Sequence, residues 1–246
     1  MNARFERKNH LKSKFVFSLC LLGLLCLMLP NAALADSLTL GGTYTYPVYI
    51  NDANGMNQAV GGGSIGPSSL NGTPLPWVYC VDLYDDINVP ATYGSTTVTT
   101  NGVITSESAS SAALGLTSGV VNNAGEVAWL LDNYATGATT SDAEGALQAA
   151  IWHVIYGSSV TAGSSNDSTM LTDYNADLSA LGSNTAALNT VTWLSPSNGN
   201  GAAEQGLVTA TPEPSTLGMM FVGLGLLGLM RKRLVRGNHL VAQANC

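Results

Sequence analysis

The chain has 246 residues, of which 46% are apolar and only 10% are charged, with a formal net charge of −7. This length and composition fit one globular domain with targeting segments attached. Every lysine and arginine lies near an end, up to Lys14 or from Arg231 onward, so His153 is the only basic side chain between 35 and 230. An acidic region of this kind repels nucleic acid and anionic lipid, and we expect no nucleic-acid partner.

The first 35 residues have the layout of a secretory signal peptide. A basic segment is followed by an apolar run at 16–29 and by a small-x-small sequence that ends at Ala35. This pattern predicts cleavage by signal peptidase between Ala35 and Asp36. We therefore interpret residues 1–35 as a signal peptide and expect the exported domain to begin at Asp36.

Residues 36–211 are predicted to form this exported domain, which we expect to be mainly β. Several segments combine β-branched or aromatic residues with alternating polarity and are bounded by turn residues. These strand-like segments are 38–50, 77–89, 93–104, 190–194 and 204–210. The segment 93–104 is predicted to be a hairpin that turns at Asn101 and Gly102.

A helical insert is predicted at about 123–157. Its first helix begins at the capping-box-like sequence that starts with Asn123, and its second begins with a capping box at Ser141 and ends at Gly157. In the second helix the apolar positions form one stripe, with Gln148 at its edge. A further short helix fits residues 173–181. The fold class predicted for the chain is therefore α+β, a β sandwich or barrel-like domain with a small two-helix insert.

The segment that follows Thr211 is typical of a membrane-sorting tail. Pro212, Glu213 and Pro214 precede an apolar run of 14 residues at 217–230. As a helix this run spans about 21 Å, which is short against the roughly 30 Å hydrocarbon core of a bilayer. We expect it to be a single membrane-spanning segment.

A basic cluster of Arg231, Lys232 and Arg233 follows the apolar run and predicts that the tail at 234–246 is cytoplasmic. The whole of 212–233 resembles the PEP-CTERM sorting signal of Gram-negative, exopolysaccharide-producing bacteria. This resemblance implies recognition by an exosortase, with the domain first anchored outside the inner membrane and then held at the cell surface or released. An ordinary C-terminal membrane anchor is the alternative.

Cys80 is the only cysteine predicted to remain in the exported domain. Cys20 and Cys26 leave with the signal peptide, and Cys246 lies in the predicted cytoplasmic tail. An unpaired thiol in an oxidising compartment can be a buried apolar residue, an intermolecular disulfide partner, a nucleophile, or a group masked in another bond.

Two short motifs resemble those of the thioester domains of Gram-positive surface adhesins, namely YCVDL at 79–83 and LQAAIW at 147–152. In that family a strand cysteine joins a glutamine on a helix, which implies a thioester between Cys80 and Gln148. Leu147 stands where the family often has threonine. The resemblance further implies covalent attachment to an amine or hydroxyl group of a protein or polysaccharide partner. No motif in the sequence suggests a cofactor or metal, and we expect no enzymatic turnover.

Three alternatives remain open. The chain could be a non-reactive structural protein of the envelope or biofilm matrix, in which Cys80 is merely buried. His153 could act with Cys80 as a hydrolase pair. The carboxylates of Asp82, Asp85 and Asp86 could hold calcium, although their spacing matches no known loop.

Overall fold

A computed structural model of the chain describes residues 35–42, 46–52, 57–105, 116–117, 119–211 and 223. The predicted signal peptide up to residue 34, the Pro-Glu-Pro motif, most of the apolar run and the basic cluster lie outside these residues. Within them, no helix has the length and apolar character needed to cross a membrane.

The described part of the chain is mainly β, with few helices, as predicted. Its strands are β1 Asp36–Leu40, β2 Tyr46–Asn51, β3 Asn57–Gly62, β4 Ser68–Leu70, β5 Thr73–Leu75, β6 Val78–Cys80, β7 Ala91–Thr99, β8 Leu116–Thr117, β9 Val120–Val121, β10 Thr161–Ala162, β11 Val191–Ser197 and β12 Leu207–Ala210. Its α-helices are α1 Ala124–Leu130, α2 Ser141–Tyr156 and α3 Ser168–Leu181. A π-helical turn, Leu131–Ala135, continues α1.

Seven strands form one antiparallel sheet in the order β5-β4-β1-β7-β11-β12-β6. Its two ends approach each other, because Ile65, just before β4, donates from its N–H to the carbonyl of Val78 in β6 at 2.8 Å. The sheet is therefore a nearly closed barrel, which leaves little unpaired strand edge. A second sheet, β10-β2-β3, supplies strands against which α2 packs.

Helix α2 is buried on almost all sides. Every residue from Gly145 to Ile155 except His153 is buried, and the helix packs against α1, α3 and β2. The prediction that Gln148 lies at the edge of a buried stripe is wrong, since its side chain is completely inaccessible to solvent. The helix ends as predicted at Gly157, whose φ of 68° suits glycine.

The helical part is larger than the predicted two-helix insert. The helix predicted at 173–181 begins earlier, at Ser168, where Asp167 caps it by accepting from the N–H of Thr169. The cap of α2 is the side chain of Thr140, rather than Ser141, and it accepts from the N–H of Ala143. Asn123 precedes α1 in a left-handed conformation with no side-chain cap, so the predicted capping box is absent there.

Two strand predictions are also wrong in extent. The hairpin predicted at 93–104 does not form, because β7 pairs with β1 on one side and with β11 on the other. Val103 instead bridges to Val120 in β9. The segment 77–89 contributes only Val78–Cys80 as strand, and the acidic residues after it lie in turns and irregular chain.

Candidate functional site

Cys80 and Gln148 are in direct contact, although 68 positions separate them in the chain. The N–H of Cys80 donates to Oε1 of Gln148 at 3.0 Å, and Nε2 of Gln148 donates to the carbonyl of Cys80 at 2.7 Å. Both residues are buried. The carboxamide of Gln148 thus pairs with the main chain of Cys80 as a neighbouring strand would.

This contact lies on the seam of the barrel. Strand β6 pairs with β12 on one side, while on its other side the N–H of Val78 donates to Oγ of Ser64 and its carbonyl accepts from Ile65. The main-chain N–H and C=O groups of residues two apart in a strand point to the same side, so those of Cys80 face the seam as those of Val78 do. The side-chain amide of Gln148 pairs with the Cys80 groups there.

Local packing fixes the position of the Gln148 side chain. A Cβ placed at Gly62, the last residue of β3, would overlap Cγ2 of Val48 and lie 3.5 Å from Cγ of Gln148. Only glycine leaves room for this approach of the hairpin β2-β3. Because the Gln148 side chain is enclosed, its Oε1 and Nε2 atoms make their described hydrogen bonds only with the main chain of Cys80.

The thiol of Cys80 has a separate partner that sequence reasoning missed. Sγ of Cys80 donates to Oε1 of Gln205 at 3.1 Å, and Nε2 of Gln205 donates to the carbonyl of Asp82. Gln205 lies 125 positions after Cys80, just before β12. No motif marked it, because a single glutamine before a strand has no recognisable pattern.

The thiol is kept in its neutral form. Burial, together with the nearby charge of Asp82, raises the pKa of Cys80 to about 12. A neutral thiol is a weak nucleophile. Any chemistry at this sulfur must therefore come from its position rather than from a preformed thiolate.

His153, the possible partner of Cys80 in a hydrolase pair, makes contacts elsewhere. His153 uses Nδ1 to contact the carbonyl of Val160 at 2.7 Å, and its ring lies edge-on to Tyr174 at 6.1 Å. None of its described contacts is with Cys80. The Cys-His hydrolase alternative therefore gains no support.

The described residues give no support to the calcium alternative either. Asp82 is buried, and its Oδ1 accepts from the N–H of Tyr84 at 3.0 Å and from the hydroxyl of Tyr156 at 3.4 Å. In the described ranges no three histidine, cysteine or acidic side chains come together in a group able to hold a metal ion. Asp82, Asp85 and Asp86, the alternative calcium ligands, therefore do not form such a group among the described residues.

Comparison with protein families gives two matches. Residues 77–189 match the family described as thioester domain, and residues 210–233 match the PEP-CTERM protein-sorting motif. The first match includes Cys80 and Gln148 but stops before Gln205. The second begins at the last residue of β12 and includes the Pro-Glu-Pro sequence and the basic cluster.

No curated protein and no solved structure matches the chain. The sorting motif indicates export and membrane anchoring before sorting, and it implies processing by an exosortase. The chain thus carries a PEP-CTERM protein-sorting motif, and its central region is similar to the thioester domain family.

Proposed function

We propose that this chain is a surface-held protein of a Gram-negative bacterium in which Cys80 and Gln148 form an internal thioester. Through that bond it attaches covalently to an amine or hydroxyl group of a protein or polysaccharide partner. The observation that carries the proposal is the buried contact of the Gln148 carboxamide with the main chain of Cys80. The thioester-domain match over both residues supports it.

The bond would form by condensation. Sγ of Cys80 attacks Cδ of Gln148, the thiol proton passes to Nε2, and Nε2 leaves as ammonia while the C–S bond is completed. The N–H of Cys80 already donates to Oε1, the atom on which negative charge develops during the attack. A fixed donor at that position stabilises such an intermediate, and the fixed amide supplies the orientation that a weak electrophile needs.

Attachment would then be acyl transfer. An amine of the partner attacks the same carbonyl carbon, the C–S bond breaks, and the proton lost by the amine returns to the sulfur of Cys80. The product is an amide between Gln148 and the partner, with a free thiol at Cys80. Each protein molecule reacts once, so we propose a covalent adhesion or matrix function rather than that of an enzyme.

The surroundings of Cys80 support a bond that persists until a partner arrives. The completely buried side chain of Gln148 is shielded from bulk water, which would hydrolyse a thioester. Before the bond forms, Gln205 holds the Cys80 thiol in place by accepting its hydrogen bond. The absence of lysine between 35 and 230 removes internal amines that could consume the thioester.

The targeting segments complete the proposal. Signal peptidase would cleave between Ala35 and Asp36, and residues 36–211 would be the exported domain. The segment 217–230 would hold that domain outside the inner membrane until an exosortase processes 212–233. The domain would finally lie at the cell surface or in the extracellular matrix.

A non-reactive structural protein is the second candidate, and one observation favours it. Gln148 already satisfies the N–H and carbonyl of Cys80 on the barrel seam. Those bonds would stabilise the domain even if no thioester formed. In that case Gln148 would be a structural residue of an envelope or matrix protein.

Intact mass of the exported chain, purified without amine-containing buffers, distinguishes the two candidates. A thioester lowers the mass by one ammonia, yields a linked peptide pair that contains Cys80 and Gln148, and incorporates methylamine at Gln148. Cys80→Ala and Gln148→Ala should each abolish incorporation, whereas Gln58→Ala, at an exposed glutamine, should not. Full unmodified mass with a free Cys80 thiol in fresh protein would reject the thioester.

A further inference from the structure

The thiol of Cys80 donates a hydrogen bond that can exist only while the thiol is free. Its Sγ donates to Oε1 of Gln205 at 3.1 Å, and the two residues are only 3% and 8% exposed. Because burial raises the pKa of Cys80 to about 12, the proton stays on the sulfur and the thiol can act as a donor. Formation of a thioester would remove this donor, since a thioester sulfur carries no hydrogen.

Main-chain contacts hold Gln205 in place. Its Nε2 donates to the carbonyl of Asp82, and its own N–H donates to the carbonyl of Asp86 at 3.3 Å. The carbonyl of the next residue, Gly206, accepts from the N–H of Val81 at 3.0 Å. None of these bonds depends on the thiol, so Gln205 keeps its position when the thiol reacts.

The orientation of the Gln205 amide is fixed as well. Turning the amide over would place Oε1 against the carbonyl of Asp82, and two oxygen acceptors would then face each other without a proton between them. In the observed orientation Nε2 faces that carbonyl and Oε1 faces Sγ of Cys80. Within the described part of the chain, the thiol is the one donor to this oxygen.

A thioester would therefore leave Oε1 of Gln205 without a donor. If the sulfur stayed where it is, its lone pairs would face the oxygen, and if it turned toward Cδ of Gln148, the oxygen would be left alone in a buried environment. A buried acceptor without a donor is unfavourable. An interaction that is present in only one of two states shifts the equilibrium between them. The hydrogen bond to Gln205 thus favours the free thiol over the thioester.

We infer that Gln205 drives the thioester toward attachment, because it binds the thiol that attachment releases. When an amine attacks Cδ of Gln148, the C–N bond to the partner forms, the C–S bond breaks and the proton lost by the amine passes to Sγ of Cys80. The new S–H group regains its hydrogen bond to Oε1 of Gln205. Gln205 itself gains and loses no proton in this step.

This inference rests on the proposed function and adds a reason why attachment would not reverse. The thiol that attacks the carboxamide of Gln148 could also attack the amide that joins Gln148 to the partner, and this second reaction would release the partner. To do so, the thiol must give up its hydrogen bond to Gln205. The same bond therefore holds the attached state and makes the thioester a stronger acyl donor.

Exchange with ammonia measures the equilibrium, because ammonia converts the thioester back to a free Cys80 and an intact Gln148. The full chain, purified in detergent, is incubated with a series of ammonium concentrations at one pH, starting once from the thioester and once from the opened form. Intact mass gives the ratio of the two forms. Peptide mapping distinguishes Gln148 from the glutamate that hydrolysis would leave.

The variant Gln205→Met keeps the length of the side chain but removes the oxygen that accepts from the thiol. Opening half of the thioester should then need about tenfold more ammonia than in the wild type, because the thioester no longer leaves a buried acceptor without a donor. The variant also removes the bond to the carbonyl of Asp82, but this loss is the same in both forms and cancels in the ratio. An unchanged or lower ammonia requirement would overturn the inference.

Thr209→Val is the matched control. The buried hydroxyl of Thr209, in β12, donates to the carbonyl of Trp77 just before β6. Valine has a similar shape but cannot donate, so the variant removes one buried hydrogen bond near the site and leaves the thiol untouched. It should lower the melting temperature and change the ammonia requirement by less than about twofold. Equal shifts in Thr209→Val and Gln205→Met would show that the ratio follows lost stability, which would contradict the inference.

The wild type offers a second measurement that does not require a variant to fold. Opening the thioester with methylamine creates a new S–H group at Cys80, and its stretching band appears in the infrared difference spectrum. A hydrogen bond to Gln205 should lower the frequency of this band relative to that of an unbonded alkyl thiol in an apolar solvent. A band at the unbonded frequency would overturn the inference.

The outcomes separate this inference from the proposed function. If the wild type forms the thioester but Gln205→Met leaves the ammonia requirement unchanged, the thioester stands and the inference is wrong. If the wild type keeps its full mass while Gln205→Met loses ammonia, Gln205 opposes the thioester as inferred and the proposed function is rejected. If neither chain loses ammonia, both are rejected.

Discussion

Two adjacent turns of α2 carry buried side-chain polar atoms that differ in their hydrogen bonding. At Gln148 both amide groups pair with the main chain of Cys80. One turn earlier, Oε2 of Glu144 has no partner among the described residues, and neither has the nearby hydroxyl of Tyr79. The same helix thus carries a satisfied polar contact and an unsatisfied one.

The difference indicates two kinds of site. A satisfied buried contact holds its groups in one arrangement, as a reaction within the protein requires. An unsatisfied one lowers stability until a ligand supplies the missing partners. Removing polar atoms should therefore destabilise the first and leave the second unchanged or more stable.

The largest effect should follow from Gln148→Met, which keeps the length of the side chain but removes its amide. In a Cys80→Ala background, the free energy of unfolding should fall by about 2–6 kcal/mol, because two buried main-chain groups lose their partners at about 1–3 kcal/mol each. Urea denaturation measures this. Gln58→Met, at an exposed position, should change it by less than about 0.5 kcal/mol; similar losses in both variants would show that the Gln148 contact is weak.

The next effect tests how closely the satisfied contact is packed. Gly62→Ala should lower the free energy of unfolding by about 1–3 kcal/mol, because the new methyl group overlaps Val48, which must shift beside Gln148. It should also slow methylamine incorporation. Gly94→Ala is the control, since a Cβ at Gly94 in β7 meets nothing within 4 Å. Equal stability of the two variants would contradict the close packing of the hairpin on Gln148.

The unsatisfied site should respond in the opposite direction. Tyr79→Phe should leave the free energy of unfolding unchanged or raise it by up to about 1 kcal/mol, because it removes a buried hydroxyl with no partner. Tyr93→Phe should lower it by about 1 kcal/mol, since the Tyr93 hydroxyl donates to the carbonyl of Asn88 and accepts from its N–H. A loss in Tyr79→Phe as large as in Tyr93→Phe would show that the Tyr79 hydroxyl has a partner.

The smallest effect depends on pH. Burial, followed by the charge of Asp173, raises the pKa of Asp177 from 3.8 to about 6. The folded chain thus binds this proton more tightly than the unfolded chain, so Asp177 lowers stability as the pH rises through that interval, and the cost is complete above pH 6. Asp177→Asn should therefore raise the melting temperature by a few degrees at about pH 7.5 and have little effect at about pH 4. The same gain from Asp177→Asn at both pH values would disprove the cost of ionisation.

The satisfied contact could be predicted from the sequence, and the unsatisfied one could not. Cys80 is a candidate because it is the only cysteine predicted to remain in the exported domain, and Gln148 because its motif resembles that of a known family. Tyr79 and Glu144 have no such mark, since a strand tyrosine and a glutamate in a first helical turn are ordinary. Their unpaired state is visible only once β6 and α2 are packed together.

The wrong fold predictions also arise because local sequence patterns do not show how distant elements pack together. The hairpin expected at 93–104 rested on the local turn signal at Asn101 and Gly102, yet β7 gains more pairing from β1 and β11, which lie far away in the chain. Thr140 and Ser141 are both good helix caps, so the sequence alone could not choose between them. Gln205, 125 positions from Cys80, could not be predicted from any local pattern.

The strand order also has a mechanical consequence for an anchored protein. Strand β12 ends at Ala210, where the sorting motif begins, and it pairs directly with β6, which carries Cys80. A partner bound to Gln148 would pull on α2, and a membrane anchor after residue 211 would pull on β12, so the hydrogen bonds of Gln148 with β6 and of β6 with β12 would lie between the two points of load. The hold of an attached protein would therefore depend on these contacts.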